Sequence, residues 1–398
     1  MSLKEKISEK LDLSKAAQFK LANSLQLTDQ EISDKLAGFP IIPKNSLLIV
    51  NDQFRSTPTH KIIKLLRNIG KIKSPLTFIV ATGSHTPPTQ DIAMQILGAA
   101  KEDKIIYHDT SKNNECTFAG ITTRGTKVFY NSALKEFDHI ITIGSVEPHY
   151  FAGFTGGAKS IVPGIAALET ITQNHRWAMK SQSKILVTNG NPTFEDIWEA
   201  SNLAIPLDNV LSIQLVNDGP SILGISHGLL KEAFEKARKI SQKIYLTNVS
   251  NKFDRIISFV ESPLDKNLYQ ALKGMENTIN VLKKNGSLVL VAACPEGLGS
   301  KFFEKLNTFG SPNNLLNTLS FEEYELGDHK IYNFAKYSQQ AQIYYIGNLP
   351  TEVVPDSYMK KININELINL YKTWTNNNEN ILIDEAGGFM CYGVSSGI

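Results

Sequence analysis

The sequence predicts an α/β protein, with a larger domain built on a mainly parallel sheet flanked by helices and a second, smaller α/β domain. Three observations carry this. Short β-branched apolar runs alternate with longer amphipathic stretches, the pattern of strands linked by crossover helices. At 398 residues the chain exceeds one ordinary core. A fresh strand–helix–strand pattern opens near residue 255.

In order, the predicted strands are Ser46–Asn51, Leu76–Ala81, Lys104–Tyr107, His139–Ile143, Lys184–Val187 and Val210–Val216. The helices between them include Pro58–Asn68, Gln90–Leu97 and Ala167–Met179. The second block reads as a strand, Arg255–Val260, a long helix from Asp265 to Lys284 stopped by Asn285-Gly286, and a strand, Ser287–Ala293. A turn, Pro295-Glu296-Gly297-Leu298-Gly299, follows.

Composition narrows the function. The 41 basic and 39 acidic residues leave a net charge of +2, with no basic excess to bind nucleic acid. Cys116, Cys294 and Cys391 are widely spaced and form no Cys-x-x-Cys pair, which argues against a disulfide framework or a structural zinc site. The Lys- and Glu-rich start lacks an apolar signal region, and no apolar run approaches the ~20 residues of a membrane span. A cytoplasmic protein without membrane contact is expected.

Ligands of open α/β sheets sit outside the carboxyl ends of the strands. Asp52 follows the first strand, His85 the second, and His149 the fourth by a few residues. In Asp52-Gln53-Phe54-Arg55, the Asp and Arg could hold a ribose, a phosphate or a carboxylate, or simply cap a helix beside a surface Arg. In Thr82-Gly83-Ser84-His85-Thr86-Pro87-Pro88, the Gly and prolines set a rigid turn that points His85 at the same rim. His108, also at a strand end, has no chemical neighbours in sequence and reads as structural.

The densest stretch runs from Glu147 to Gly164 and includes His149, Gly153, Gly156, Gly157 and Lys159. Its glycines allow backbone N–H groups to converge on an anion or let a cofactor approach closely. Lys159 supplies a charge or an amine nucleophile. Gly153–Ser160 falls one residue short of a P-loop, so a nucleotide hydrolase is an alternative. Its context is wrong, because Glu147–Ala152 separates it from the strand and Pro163-Gly164 would break the required helix. Zinc is a second alternative, weakened because His149 and His175 lie far apart with no paired ligand motif. Gln270 and Lys273, at i and i+3 of the predicted long helix, could hold a carboxylate or form a solvated face.

Taken together, these segments resemble the nickel-pincer lactate racemase family from about Asn51 to about Ser300. The matching residues are P-H-Y-F-A-G-F-T-G-G-A-K-S-I-V-P-G from Pro148, N-H at 174–175, G-N-P at 190–192 and P-L-D-K-N-L-Y-Q-A-L-K-G from Pro263. The resemblance implies a racemase or epimerase of a 2-hydroxy acid with a nickel-pincer nucleotide, a pyridinium mononucleotide that grips nickel through two sulfurs and a ring carbon. It assigns Lys159 to cofactor attachment, His175 to the nickel, His85 and His149 to acid/base work, and Asp52 and Arg55 to contacts with cofactor and substrate. Gln270 and Lys273 would join Arg55 in holding substrate. It further implies cofactor-biosynthesis proteins as maturation partners and an active site in the inter-domain cleft. A large domain of 1–255, rejoined by 376–398, and a small one of 256–375 are expected. Two departures bear on substrate: Thr86 stands where the family often has Arg, and Gln53-Phe54 is less polar than expected. A non-catalytic cofactor carrier is the remaining alternative, disfavoured because a carrier needs no paired proton shuttles.

Overall fold

The computed structural model describes residues 2–19 and 26–394. Residues 26–244 form one compact unit, and residues 2–19 with 245–394 form the other.

In the first unit, α1 (Asp29–Leu36) precedes β1 (Ser46–Asn51), α2 (Thr59–Asn68), β2 (Thr77–Ala81), α3 (Gln90–Leu97) and β3 (Lys104–Tyr107). A hairpin of β4 (Cys116–Ile121) and β5 (Lys127–Asn131) leads to β6 (His139–Ser145). After the loops come α4 (Leu168–His175), α5 (Pro192–Ala204), β7 (Leu211–Asp218), β8 (Ser221–Leu229) and α6 (Leu230–Tyr245). The six-stranded sheet runs β8-β7-β6-β1-β2-β3, parallel except for the β7–β8 pair. The i, i+3, i+4 spacing of Ile62, Ile63, Leu65 and Leu66 buries one stripe of α2 against Leu48 and Val50 of β1. The Thr89 side chain caps α3, and Gly98, at φ 61°, ends it in a left-handed conformation that suits glycine.

The second unit contains β9 (Phe253–Phe259), α7 (Leu268–Thr278), β10 (Leu282–Val291), α8 (Asp328–Gln340), β11 (Gln342–Ile346), α9 (Ile364–Asn376) and β12 (Ile381–Asp384). Its six-stranded sheet is parallel throughout, with the short strand Ala17–Phe19 beside β12, then β9, β10, β11 and Lys360–Lys361. Alternate residues feed two cores. Ile256, Leu288 and Leu290 enter one, while Ile257, Val289 and Val291 enter the other. A parallel sheet covered on both faces reads as continuous apolar sequence for this reason.

Three expectations are corrected. Lys184–Val187 is a turn, in which Leu186 takes φ 65° and donates its N–H to Gly153 O. The long helix ends at Thr278 and β10 begins at Leu282. β-branched residues cluster at this point, and the Thr278 hydroxyl bonds back to Gly274 O at 2.8 Å, which favours termination. Asn285-Gly286 instead forms an irregularity inside β10, with Asn285 at φ 64°. Finally, 376–394 does not return to the first unit, because β12 is hydrogen-bonded between β9 and Ala17–Phe19. The N-terminal segment joins the second unit through the same edge.

Candidate functional site

Strands β1, β2 and β6 lie side by side in parallel register, with Val50 opposite both Val80 and Ile143. Their following residues therefore leave one edge of the sheet. The Asn51 side-chain amide donates to Thr57 Oγ1 at 2.7 Å, and Thr57 shares a 2.9 Å hydrogen bond with Ser145, tying the turn after β1 to the end of β6.

Asp52 is buried and has two duties. Oδ1 accepts the Phe54 N–H at 3.2 Å, closing the turn, and Oδ2 meets His85 Nδ1 at 2.7 Å. An ionised carboxylate can only accept, so Nδ1 carries the proton, and in the neutral ring the lone pair lies on Nε2. Asp52 caps no helix, since the next one begins at Thr59 with Pro58 before it. Gly83, at φ 54°, makes the turn that presents His85, and its N–H donates to Gly164 O at 2.9 Å. That bond joins the His85 turn to the loop carrying Lys159.

Between Glu147 and Gly164, the two-residue strands Pro148–His149 and Gly153–Phe154 pair antiparallel. Gly153 is obligatory, since at φ 74° an added Cβ would lie 2.2 Å from Val187 O. Gly157 packs on Phe234, and its N–H donates to Gln214 Oε1 at 3.0 Å. These glycines thus serve close packing, and the Gly157 N–H serves Gln214 rather than an anion.

Phe151 is the hub of the site. Its ring centroid lies 4.5 Å from that of His149, 5.1 Å from that of His175, and 5.4 Å from Lys159 Nζ. His149 Nδ1 accepts the Ala152 N–H at 3.3 Å, so the neutral ring carries its proton on Nε2. Lys159 sits in the short helical turn Gly157–Ser160, and the next α-helix is α4. Its side chain keeps some solvent contact, but the amine lies deep among protein atoms. That desolvation, with the nearby charge of Arg55, pulls its pKa from 10.5 to about 7.

His175 ends α4, with Nδ1 at 3.2 Å from Asn174 Oδ1. The Asn174 amide donates in turn to Asp196 Oδ2 at 2.8 Å, and Asp196 also accepts from the Thr122 and Thr126 hydroxyls. An imidazole fixed at one nitrogen presents the other as a ligand, the usual outer support of a metal-binding histidine.

The expected residues thus form two groups, Asp52 with His85 and His149 with Lys159 and His175, linked by the charge of Arg55 on Lys159. Gln270 and Lys273 lie one turn apart on α7 of the other unit, both half-buried. His108 is fully buried between Ala166 O and the Asn131 amide, and burial lowers its pKa, in keeping with a structural role. Phe151, Asn174 and Asn191 fall in quoted motifs but carry no role in the sequence reading, and Asp196 has no sign there at all. Asn191 caps α5 and donates to Phe151 O at 2.8 Å, and G-N-P before a helix was its one legible sign. Among the described residues, no three His, Cys, Asp or Glu side chains cluster to hold a metal ion, and no helix is long and apolar enough to cross a membrane.

Comparison with known proteins places these features in context. Residues 27–186 match the lactate racemase N-terminal domain family and residues 252–387 the lactate racemase C-terminal domain family, together more than half of the chain. Lactate racemase of Thermoanaerobacterium thermosaccharolyticum is 28% identical over 287 residues, covering 69% of this chain and 66% of that protein. Lactate racemase of Lactiplantibacillus plantarum is 28% identical over 293 residues, covering 72% and 69%. The matched region therefore spans about two thirds of those relatives. The structure of the lactate racemase apoprotein from T. thermosaccharolyticum superimposes with a TM-score of 0.81 at 23% identity, covering 95% of this chain and 94% of that one. A Thermotoga maritima protein structure does so at 0.73 and 16% identity, covering 95% and 100%.

Proposed function

Because the chain belongs to the lactate racemase family, we propose that it is an isomerase interconverting the enantiomers of a 2-hydroxy acid, lactate or a related acid, with a nickel-pincer nucleotide as cofactor. The observation that carries this reading is the convergence of His149, Lys159 and His175 on the Phe151 ring, beside the Asp52–His85 pair.

The donor set fits such a cofactor. An amine with pKa about 7 is substantially uncharged at neutral pH, the state required for attachment through an acyl-type bond. A single oriented imidazole at His175 suits a metal whose other ligands arrive with it. When bound, the cofactor supplies an acceptor for the C2 hydrogen together with its electron pair, avoiding a carbanion beside an ionised carboxylate.

The chain's own residues do the rest. Arg55 holds the substrate carboxylate. His85 Nε2 takes the hydroxyl proton of one enantiomer. His149 returns a proton to the keto oxygen after the keto acid has turned its other face, and the roles exchange in reverse. The three free cysteines agree with a reducing, cytoplasmic setting, where cofactor-making proteins would load the enzyme.

The test is direct. Protein co-produced with the cofactor-making machinery should convert one pure enantiomer of a 2-hydroxy acid to the racemate, read by chiral chromatography. Nickel-loaded protein that leaves a broad panel of such acids unchanged would favour the carrier reading.

A further inference from the structure

Phe54 occupies an unusual place for a large apolar side chain. It is 59% exposed at the functional rim, and its ring centroid lies 4.7 Å from that of His85, edge-on at 61°. Asp52 holds both partners, one oxygen taking the Phe54 N–H and the other His85 Nδ1. The neighbouring Gln53 amide donates to Thr86 O at 3.3 Å, joining the two turns. The phenyl and the imidazole are thus positioned by the same carboxylate.

On C2 of a 2-hydroxy acid, the substituent is two bonds from the hydroxyl oxygen. A side chain packed on the imidazole that takes the hydroxyl proton is therefore within reach of that substituent. The charged group bonded to His85 is the Asp52 carboxylate, and Ser84-His85-Thr86-Pro87 contains no cation besides His85 itself. In the proposed function Arg55 is taken up by the carboxylate common to all such acids. A second carboxylate would face like charge, whereas an apolar group would cover the exposed phenyl.

We infer that Phe54 is a specificity-determining residue that selects 2-hydroxy acids carrying an apolar C2 substituent larger than methyl, branched aliphatic or aromatic, over dicarboxylic or sugar acids. This rests on the racemase reading and on His85 as a proton carrier.

The experiment uses nickel-loaded enzyme, wild type and Phe54→Ala, with lactate, 2-hydroxyisocaproate, 3-phenyllactate and malate, scored by chiral chromatography. Wild type should favour 3-phenyllactate over malate in kcat/KM by about 10–100-fold. In Phe54→Ala, the loss for 3-phenyllactate should exceed that for lactate by about 10-fold or more, chiefly in KM. Malate handled as well as 3-phenyllactate, or an equal loss for every acid in the variant, overturns the inference. If wild-type holoenzyme racemises none of them, the racemase reading fails separately. Calorimetry then decides on Phe54, with tighter binding of phenylpyruvate than of oxaloacetate lost in Phe54→Ala as support and equal binding in wild type as refutation.

Discussion

Replacing His149 or His85 by alanine in the loaded enzyme should lower kcat by about 10²–10⁴-fold, the range for removing a positioned general acid or base. Cofactor and nickel should be retained, because neither ring is assigned to hold them. The two imidazoles are prepared differently. Asp52 fixes the Nδ1 proton of His85 and leaves its lone pair on Nε2, whereas the Ala152 N–H at His149 Nδ1 leaves the proton there on Nε2. His85 is thus set to accept a proton at Nε2, while His149 carries an N–H at that position. Enantiomers have equal free energy, so kcat/KM must fall equally in both directions for each variant. Full activity in either variant, measured by polarimetry from each pure enantiomer, would remove that histidine from the reaction.

Lys159→Met should abolish covalent attachment altogether, seen as loss of the cofactor increment in intact mass, and activity should fall with it. The same substitution should stabilise the cofactor-free protein. The folded pKa of Lys159, about 7, lies below its unfolded value near 10.5. Between those pH values the unfolded chain binds the extra proton, so stability rises with pH across that window. Below about pH 7 both states are protonated, and the cost of confining the ammonium near Arg55 is present in full. Discounted for the residual solvent contact of the side chain, that cost is on the order of 2 kcal/mol. Thermal unfolding at pH 6 should show a higher Tm for Lys159→Met, with the difference shrinking toward pH 10. An unchanged Tm at pH 6 would mean that the amine is not desolvated.

Much of the fold was legible because parallel strands covered on both faces leave continuous apolar runs, as in Ser46–Asn51, and the half-buried edge strand Lys104–Tyr107 also forms as expected. The same signal misled at Lys184–Val187. Those residues are apolar in part because the turn packs against Gly153, not because they pair in a sheet. The helix expected to reach Lys284 shows the limit of periodicity, since amphipathic spacing continues past Thr278 while β-branching ends the helix. Domain bookkeeping failed for a topological reason: Ala17–Phe19 and β12 are far apart in sequence and adjacent in the sheet.

At the site, the chemical residues were readable by type and motif, whereas their supports were not. Phe151 looks like an ordinary aromatic until three candidate functional side chains are found around its ring. Asp196 looks like a helix-surface acid until Asn174, Thr122 and Thr126 are seen to converge on it. The contacts of Asp196, and that of Phe151 with His175, join residues more than twenty positions apart, and no local pattern encodes them.

The sharpest test is racemisation of a suitable 2-hydroxy acid by the loaded enzyme in deuterium oxide, followed by NMR at C2. If the hydrogen leaves and returns with its electron pair while His85 and His149 handle only the hydroxyl proton, both enantiomers keep protium at C2. Deuterium entering C2 at the rate of racemisation would mean that a side chain abstracts the C2 proton itself, contradicting the roles assigned to both histidines and to the cofactor held by Lys159.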